Sequence, residues 1–253
     1  MGSLTGKKAL VTGTSQGIGA AISKALIEAG CDIFMHYFHS PEEPMRMQKY
    51  ALGRKQQAKC IQADLKNEQE VIRFIHESEN FLGQIDILVN NSGALVQRRK
   101  LIEIDNNFWQ SLLDINLKTM MMVTREAYPL MNKTGGASIV NIASLAGLMG
   151  GHPGSLVYST CKGAVLTWTR SLSKELAPEG IRVNAVAPGF IQGTNFHKEH
   201  TTEESAKKTI ESIPLGRSGN PEDVARAVVF LASEYDGFIT GETIDINGGV
   251  YCA

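Results

Sequence analysis

Tyr158 and Lys162 stand four positions apart, with Ser144 upstream and a glycine-rich turn near the N-terminus. On a helix, residues i and i+4 share a face, so the Lys162 ammonium sits near the Tyr158 phenol and favours its ionised form. A phenol ordinarily titrates near pH ~10, and bringing it to about 7 takes roughly 4 kcal/mol, which a close cation in a poorly solvated cleft supplies. The pair predicts a group able to protonate an alkoxide at neutral pH. Ser144, at the end of an apolar run, is placed to hydrogen-bond the same oxygen. Singly, each residue has a plain structural explanation as a half-buried aromatic, a surface charge or a turn residue; jointly and in this order they point to chemistry.

Apolar runs alternate with longer amphipathic stretches along the whole chain, as in successive βαβ units. The runs predict strands over Ala9–Thr12, Asp32–Tyr37, Lys59–Ala63, Ile85–Asn90, Ala137–Ala143, Arg182–Ala187 and Thr243–Ile246. Helices are expected over Ile18–Ala29, Glu42–Leu52, Glu68–Phe81, Asn107–Met131, Tyr158–Leu176 and Pro221–Leu231. The fold class is α/β, a single doubly wound (Rossmann-like) domain over 1–253. Its seven-stranded, mostly parallel sheet carries helices on both faces. The polar segment 193–213 breaks the rhythm and reads either as a mobile flap over a cleft or as a solvated helical excursion.

The first unit runs a strand into Gly13, Gly17 and Gly19 and then a helix, so a pyrophosphate can approach the helix N-terminus, although the spacing is not G-x-G-x-x-G. Asp64 follows the third strand, either to accept from an adenine amino group or to cap the next helix. Asn90-Asn91-Ser92-Gly93 closes the fourth strand at the carboxyl edge of the sheet, where such sheets bind ligands and where a simple Asn/Gly turn looks the same.

Composition is that of an ordinary globular chain: 253 residues, 43% hydrophobic and 20% charged. A net charge of −1 gives no basic field to draw nucleic acid or an anionic membrane. Cys31, Cys60, Cys161 and Cys252 have no metal-ligand spacing, so no metal is expected; Cys31 and Cys60 read as small buried hydrophobes, and Cys161, between Tyr158 and Lys162, as a structural thiol ahead of a reactive one. No run reaches the length of a membrane span and the first residues lack the apolar core of a signal peptide, so a cytoplasmic protein is expected.

Thr12-Gly13-x-x-x-Gly17-x-Gly19, Asn90-Asn91-Ser92-Gly93, Asn116, Ser144, Tyr158-x-x-x-Lys162 and Pro188-Gly189 together resemble the successive motifs of the classical short-chain dehydrogenase/reductase family, in order and over nearly the whole chain. The resemblance implies a catalytic set of Asn116, Ser144, Tyr158 and Lys162, with Asn116 anchoring a water that links Lys162 to solvent. It implies that Thr12, Gly13, Gly17, Ile18 and Gly19 cradle a pyrophosphate, with Ser15 and Gln16 in the same turn. Asp64 and Leu65 would line the adenine site, Asn91, Ser92 and Gly93 the ribose side, and Pro188, Gly189, Ile191 and Thr194 the nicotinamide, whose ribose Lys162 would also bind. Members that prefer NAD carry an acid at the end of the second strand. Here the chain reads His36-Tyr37-Phe38-His39-Ser40, which favours NADP, with Tyr37, His39 and Ser40 beside it; Gln16, however, stands where NADP-selective members often carry a base.

The expected reaction is hydride transfer between NADP(H), or NAD(H), and a carbonyl or secondary alcohol of a small polar substrate such as a keto-sugar acid. Arg98, His152, His197 and, with them, Arg99 and Lys198 are candidates to meet its charge. The loop Leu145–Val157, one residue longer than the commonest family spacing, holds glycines that would absorb the insertion. A 3-oxoacyl-[acyl-carrier-protein] reductase is the alternative, with Arg125 and Arg170 as possible carrier contacts. A dinucleotide-sensing regulator without turnover is a third reading. Likeness to the family also implies a homotetramer through the long helices and last strand, with Met120-Met121-Met122-Val123 suiting a subunit face or an internal core equally.

Overall fold

Strand parity sorts the apolar side chains onto two faces and thereby builds the fold. The computed structural model describes residues 4–131, 136–194, 202–233 and 237–252. Its strands are β1 (Lys8–Val11), β2 (Asp32–Tyr37), β3 (Ala58–Gln62), β4 (Ile87–Asn90), β5 (Ser138–Ile142), β6 (Arg182–Pro188) and β7 (Thr243–Ile246). They lie in the order β3-β2-β1-β4-β5-β6-β7. Every pairing among them is parallel, so the sheet is wholly parallel where a mostly parallel one was expected.

Helices α1 (Gly17–Glu28), α2 (Glu42–Leu52), α3 (Glu68–Leu82), α4 (Asn106–Leu113), α5 (Thr119–Met131), α6 (Ala146–Met149), α7 (Leu156–Leu176), α8 (Glu203–Glu211) and α9 (Pro221–Ala232) join the strands. Ile33, Met35 and Val140 pack with Ile22, Leu26, Val224 and Val228 on one face. Phe34, Leu88 and Ile139 pack with Phe74, Val123 and Leu130 on the other. Neighbouring strand residues thus feed opposite cores, which is why the strands read as continuous apolar runs. Met122 and Val123 are buried in the second of these cores and Met120 in a smaller cluster, while Met121 is partly buried, so most of the run is internal packing. Cys161 is also fully buried, its Sγ 3.6 Å from the Leu112 carbonyl oxygen, and burial lifts its thiol to about 11, which makes it an inert core group.

The chain leaves β1 toward β2 and β3 and returns to β4 on the other side, so a crevice opens between the carboxyl ends of β1 and β4. The helix expected over Asn107–Met131 is interrupted at Asp114–Lys118 by a π turn. Asn116 causes it locally: its amide nitrogen donates to the Leu112 carbonyl at 3.0 Å and to the Ala94 carbonyl at 2.8 Å, which draws the turn open. The expected loop Leu145–Val157 holds α6, and α7 starts two residues before Tyr158.

Helices α6 and α7 cross at glycine. A Cβ on Gly147 would lie 2.6 Å from the Lys162 carbonyl carbon and 2.7 Å from the Gly163 nitrogen. These are backbone atoms within a helix and cannot yield cheaply, so Gly147→Ala is expected to cost about 1–3 kcal/mol. Thermal denaturation should show this as a fall of several degrees in Tm.

Candidate active site

One cleft of about 1300 Å³ opens at the crevice. Gly13, Ser15, Gln16, Gly17, Ile18, Gly19, His39, Ser40, Asp64, Leu65, Asn91, Ser92 and Gly93 line one end of it. Ser144, Tyr158, Lys162, Pro188, Gly189, Ile191, Thr194, Arg98 and His152 complete the expected lining. The two ends of the sequence pattern, glycine turn and Tyr158-x-x-x-Lys162, therefore share one cavity.

At the turn, a Cβ on Gly19 would sit 2.1 Å from the Gly13 carbonyl oxygen, so the loop folds back on α1 with no room for a side chain. Gly13, at φ +70°, accepts from the Asn91 amide at 2.8 Å and donates its N–H to His36 Nδ1 at 3.1 Å. Gln16 precedes α1 without a side-chain cap, leaving the first N–H groups of the helix for a ligand. Thr194 lies over the turn, its Cγ2 3.0 Å from where a Gly17 Cβ would be. A cradle of bare backbone ahead of a helix N-terminus fits a dinucleotide pyrophosphate.

Thr12 and Tyr37 stand off the cleft. Thr12 is buried, and its hydroxyl oxygen accepts the N–H groups of Asn91 and Ser92 at 3.0 Å each, tying β1 to the segment after β4. Tyr37 shares the face of Met35 by alternation, while Phe34 and His36 turn the other way onto Phe74. The cleft is lined instead by His36 and Phe38, which flank it in sequence. Asp64 is not the cap of α3: Asn67 accepts from the Gln69 N–H at 2.9 Å, and Asp64 accepts from Lys66 N–H in the turn before it.

At the other end, Lys162 is 4% exposed, and its ammonium donates to the Ile142 carbonyl at 2.7 Å and lies 5.8 Å from the Tyr158 ring centre. Burial pulls its pKa down to about 8. Tyr158 departs from expectation. Burial pushes its phenol up to about 12, opposed by a hydrogen bond with Ser144, while the Lys162 ammonium is directed at the Ile142 carbonyl. Ser144 also accepts the Ala146 N–H at 3.1 Å, which fixes its rotamer. The hydroxyls of Ser144 and Tyr158 thus form a donor pair suited to an oxygen that gains negative charge.

A Cβ on Gly93 would lie 2.8 Å from Asn116 Oδ1 and 3.3 Å from Lys162 Nζ, so this glycine lets both approach the β4 end. Asn116 Oδ1 accepts the Ala94 N–H at 3.0 Å and its amide is spent on Ala94 and Leu112, so its side chain works as a splint between β4 and the helix. These bonds occupy both ends of the side-chain amide that was expected to anchor a water.

Arg98 and His152 both border the cleft, Arg98 half-buried with Nη1 3.4 Å from the Pro153 carbonyl oxygen. Arg99 turns away to Asp105 at 3.2 Å and stacks on Phe108. His197 and Lys198 lie outside the described residues. In the polar segment, α8 presents Ser205 and Thr209 to the cleft, and Ile213, Phe190 and Val250 add apolar lining. Arg125 pairs with Glu68 and Glu126, and neither it nor Arg170 lines the cleft itself.

A family model described as enoyl-(acyl carrier protein) reductase matches residues 13–251. The 3-oxoacyl-[acyl-carrier-protein] reductase FabG of Aquifex aeolicus is 39% identical over 249 residues, covering 98% of this chain and 98% of that protein. The 3-oxoacyl-[acyl-carrier-protein] reductase of Synechocystis sp. is 36% identical over 251 residues, covering 99% of each. Among solved structures, a dehydrogenase/reductase from Sinorhizobium meliloti superposes with a TM-score of 0.92 at 31% identity, covering 99% of this chain and 97% of that one. An NADH-dependent reductase A1-R' responsible for alginate metabolism gives a TM-score of 0.89 at 30% identity over 99% of both chains.

Proposed function

Because the chain belongs to the short-chain dehydrogenase/reductase family and is an oxidoreductase of that family, we propose that it reduces the keto group of a 3-oxoacyl thioester at the Ser144–Tyr158–Lys162 end of the cleft. The observation that carries this reading is the shared cleft, with the glycine cradle at one end and a hydrogen-bonded hydroxyl pair beside a buried ammonium at the other. Likeness to 3-oxoacyl-[acyl-carrier-protein] reductases over 98–99% of the chain supports the acyl substrate ahead of the keto-sugar acid. A nicotinamide dinucleotide held by the glycine cradle would supply the hydride.

The protein's own groups do the rest. Ser144 donates a hydrogen bond to the keto oxygen and holds it beside the Tyr158 hydroxyl. Tyr158, kept protonated at neutral pH by burial, gives its proton to that oxygen as charge grows on it. The Lys162 ammonium stabilises the phenolate left behind. Asn116 and Gly93 set the height of Lys162 in the cleft. With a phenol at about 12 and a lysine at about 8, reduction needs both groups protonated. The free-enzyme kcat/KM for reduction is expected to be level through neutral pH and to fall as pH rises past about 8, when Lys162 loses its charge. The limb should vanish in Lys162→Met, whose residual rate is low at every pH.

NADP(H) is the proposed cofactor. The lining after β2 is Phe38, His39 and Ser40, with no carboxylate at the end of that strand to repel a 2′-phosphate; Lys66, in the same lining, pairs with Asp64 at 3.8 Å. We propose 193–213 as a flap whose α8 borders the substrate, within a single domain that assembles as a homotetramer. No helix among the described residues is long and apolar enough to cross a membrane, and the proposed site of action is the cytoplasm.

A second reading, reduction of a short keto acid, is favoured by Arg98 and His152 at the cleft. The deciding experiment measures kcat/KM with NADPH and with NADH for 3-oxobutanoyl carrier protein, its pantetheine thioester and free short keto acids. Preference for the thioesters and for NADPH supports the proposal. Preference for free keto acids overturns it in favour of the second reading, and tight cofactor binding without turnover of any carbonyl would mark a sensor.

A further inference from the structure

We infer that His36, through its imidazole Nδ1, is the positioning residue that holds the glycine turn in its cofactor-binding shape. The inference rests on the dinucleotide reading of the cleft. His36 ends the buried part of β2, is 3% exposed, and packs edge-on against Phe74 of α3 with ring centres 5.5 Å apart. Its two ring nitrogens face different elements. Nδ1 takes the Gly13 N–H at 3.1 Å, and Nε2 lies 2.9 Å from the Ala63 carbonyl oxygen after β3. A carbonyl only accepts, so the ring proton sits on Nε2 and Nδ1 is left as the acceptor for Gly13. One tautomer satisfies both contacts.

The main chain of the same residue holds the next position of the turn. The His36 carbonyl oxygen accepts the Thr14 N–H at 2.9 Å and the Thr14 hydroxyl at 3.1 Å. Gly13 is gripped on its other side by Asn91, whose amide donates to its carbonyl oxygen. The N–H groups of Gly13 and Thr14 are thereby spent on β2, and an anion is left the N–H groups that follow Gln16 at the start of α1. Their aim depends on a turn that passes within 2.1 Å of a Gly19 Cβ position, so slack at Gly13 is transmitted directly to the cradle. Asp64, just past β3, is the charged group that bears on the ring; burial outweighs it and keeps the imidazole neutral, its pKa lowered to about 4.

Asparagine and glutamine separate the two ring contacts, because the Asn side-chain oxygen reaches the Nδ1 position and the Gln amide reaches the Nε2 position. Each variant loses one buried hydrogen bond, so their Tm values should fall alike. NADPH affinity, read as fluorescence enhancement on titration at pH 7.5, should differ. His36→Gln, which strands the Gly13 N–H, is expected to raise Kd about 30-fold, while His36→Asn stays within about threefold of wild type. Hydrogen exchange should agree, with the segment carrying Gly13 and Thr14 losing protection in His36→Gln alone. Equal Kd values in the two variants, or the larger loss in His36→Asn, overturn the inference. If His36→Gln does not fold, a 30-fold loss in His36→Asn still overturns it. A wild-type protein that binds neither NADPH nor NADH refutes instead the dinucleotide reading beneath it.

Discussion

Tyr158→Phe is expected to lower kcat by about 10³-fold while leaving NADPH affinity within a few-fold of wild type. The substitution keeps the ring, and with it the packing of α7, and removes one hydroxyl. That hydroxyl is the group positioned by Ser144 and lying near the only lysine that lines the catalytic end of the cleft among the described residues. Water is a poor substitute. The phenol sits where burial is the largest cause raising its pKa, to about 12, so a water in its place would meet the same cost of charging without the oriented bond to Ser144. The loss should appear in kcat and kcat/KM together, because the interaction is made only as the oxygen gains charge. Steady-state kinetics with a fluorescence titration of the cofactor separates this from a binding defect. A variant within tenfold of wild-type kcat removes the proton-donor role.

Gly19→Ala should abolish cofactor binding at any practical concentration, a loss of at least about 100-fold. The added methyl would lie 2.1 Å from the Gly13 carbonyl oxygen and 2.5 Å from the Asn91 amide nitrogen. Neither can retreat independently: the Gly13 oxygen already holds the Asn91 amide, and the Gly13 nitrogen is held by His36. Relief has to come from moving α1 outward, which pulls Ile22 and Leu26 from the core on that face. Overpacking of this kind costs about 1–3 kcal/mol of stability, so the protein should fold with a lowered Tm and a displaced cradle. Circular dichroism together with NADPH titration tests it. A folded Gly19→Ala protein that binds NADPH as wild type does contradicts the cradle.

Much of this was legible before any coordinates. Spacing of four placed Tyr158 and Lys162 on one helical face, and apolar runs at βα intervals placed the glycine turn and Asn91–Gly93 at the carboxyl edge of a parallel sheet. What spacing does not carry is direction within a strand. Tyr37 and His36 are neighbours in sequence, yet parity sends His36 to the cleft and Tyr37 away, and recognising His36 required knowing that Phe74 of α3 lies on its side. Nor does it carry competition between local bonds. Thr12 is consumed by Asn91 and Ser92, and Asn116 opens a π turn because Ala94 and Leu112 claim its amide. The Tyr158 phenol was expected to be acidified by its cation; burial, which no motif encodes, moved it the other way. The close α6–α7 crossing had a visible signal in Gly147 and Gly163, one on each helix, but its meaning depends on the pair meeting in space.

The most direct measurement supplies the protein with reduced cofactor carrying deuterium at both nicotinamide C4 positions and a 3-oxobutanoyl thioester, and reads the product by mass spectrometry. One deuterium on the carbinol carbon per molecule of product, with product formation falling about 10³-fold in Tyr158→Phe, is the predicted result. Product lacking the label, or cofactor bound tightly with no carbonyl reduced, would contradict hydride transfer at this cleft.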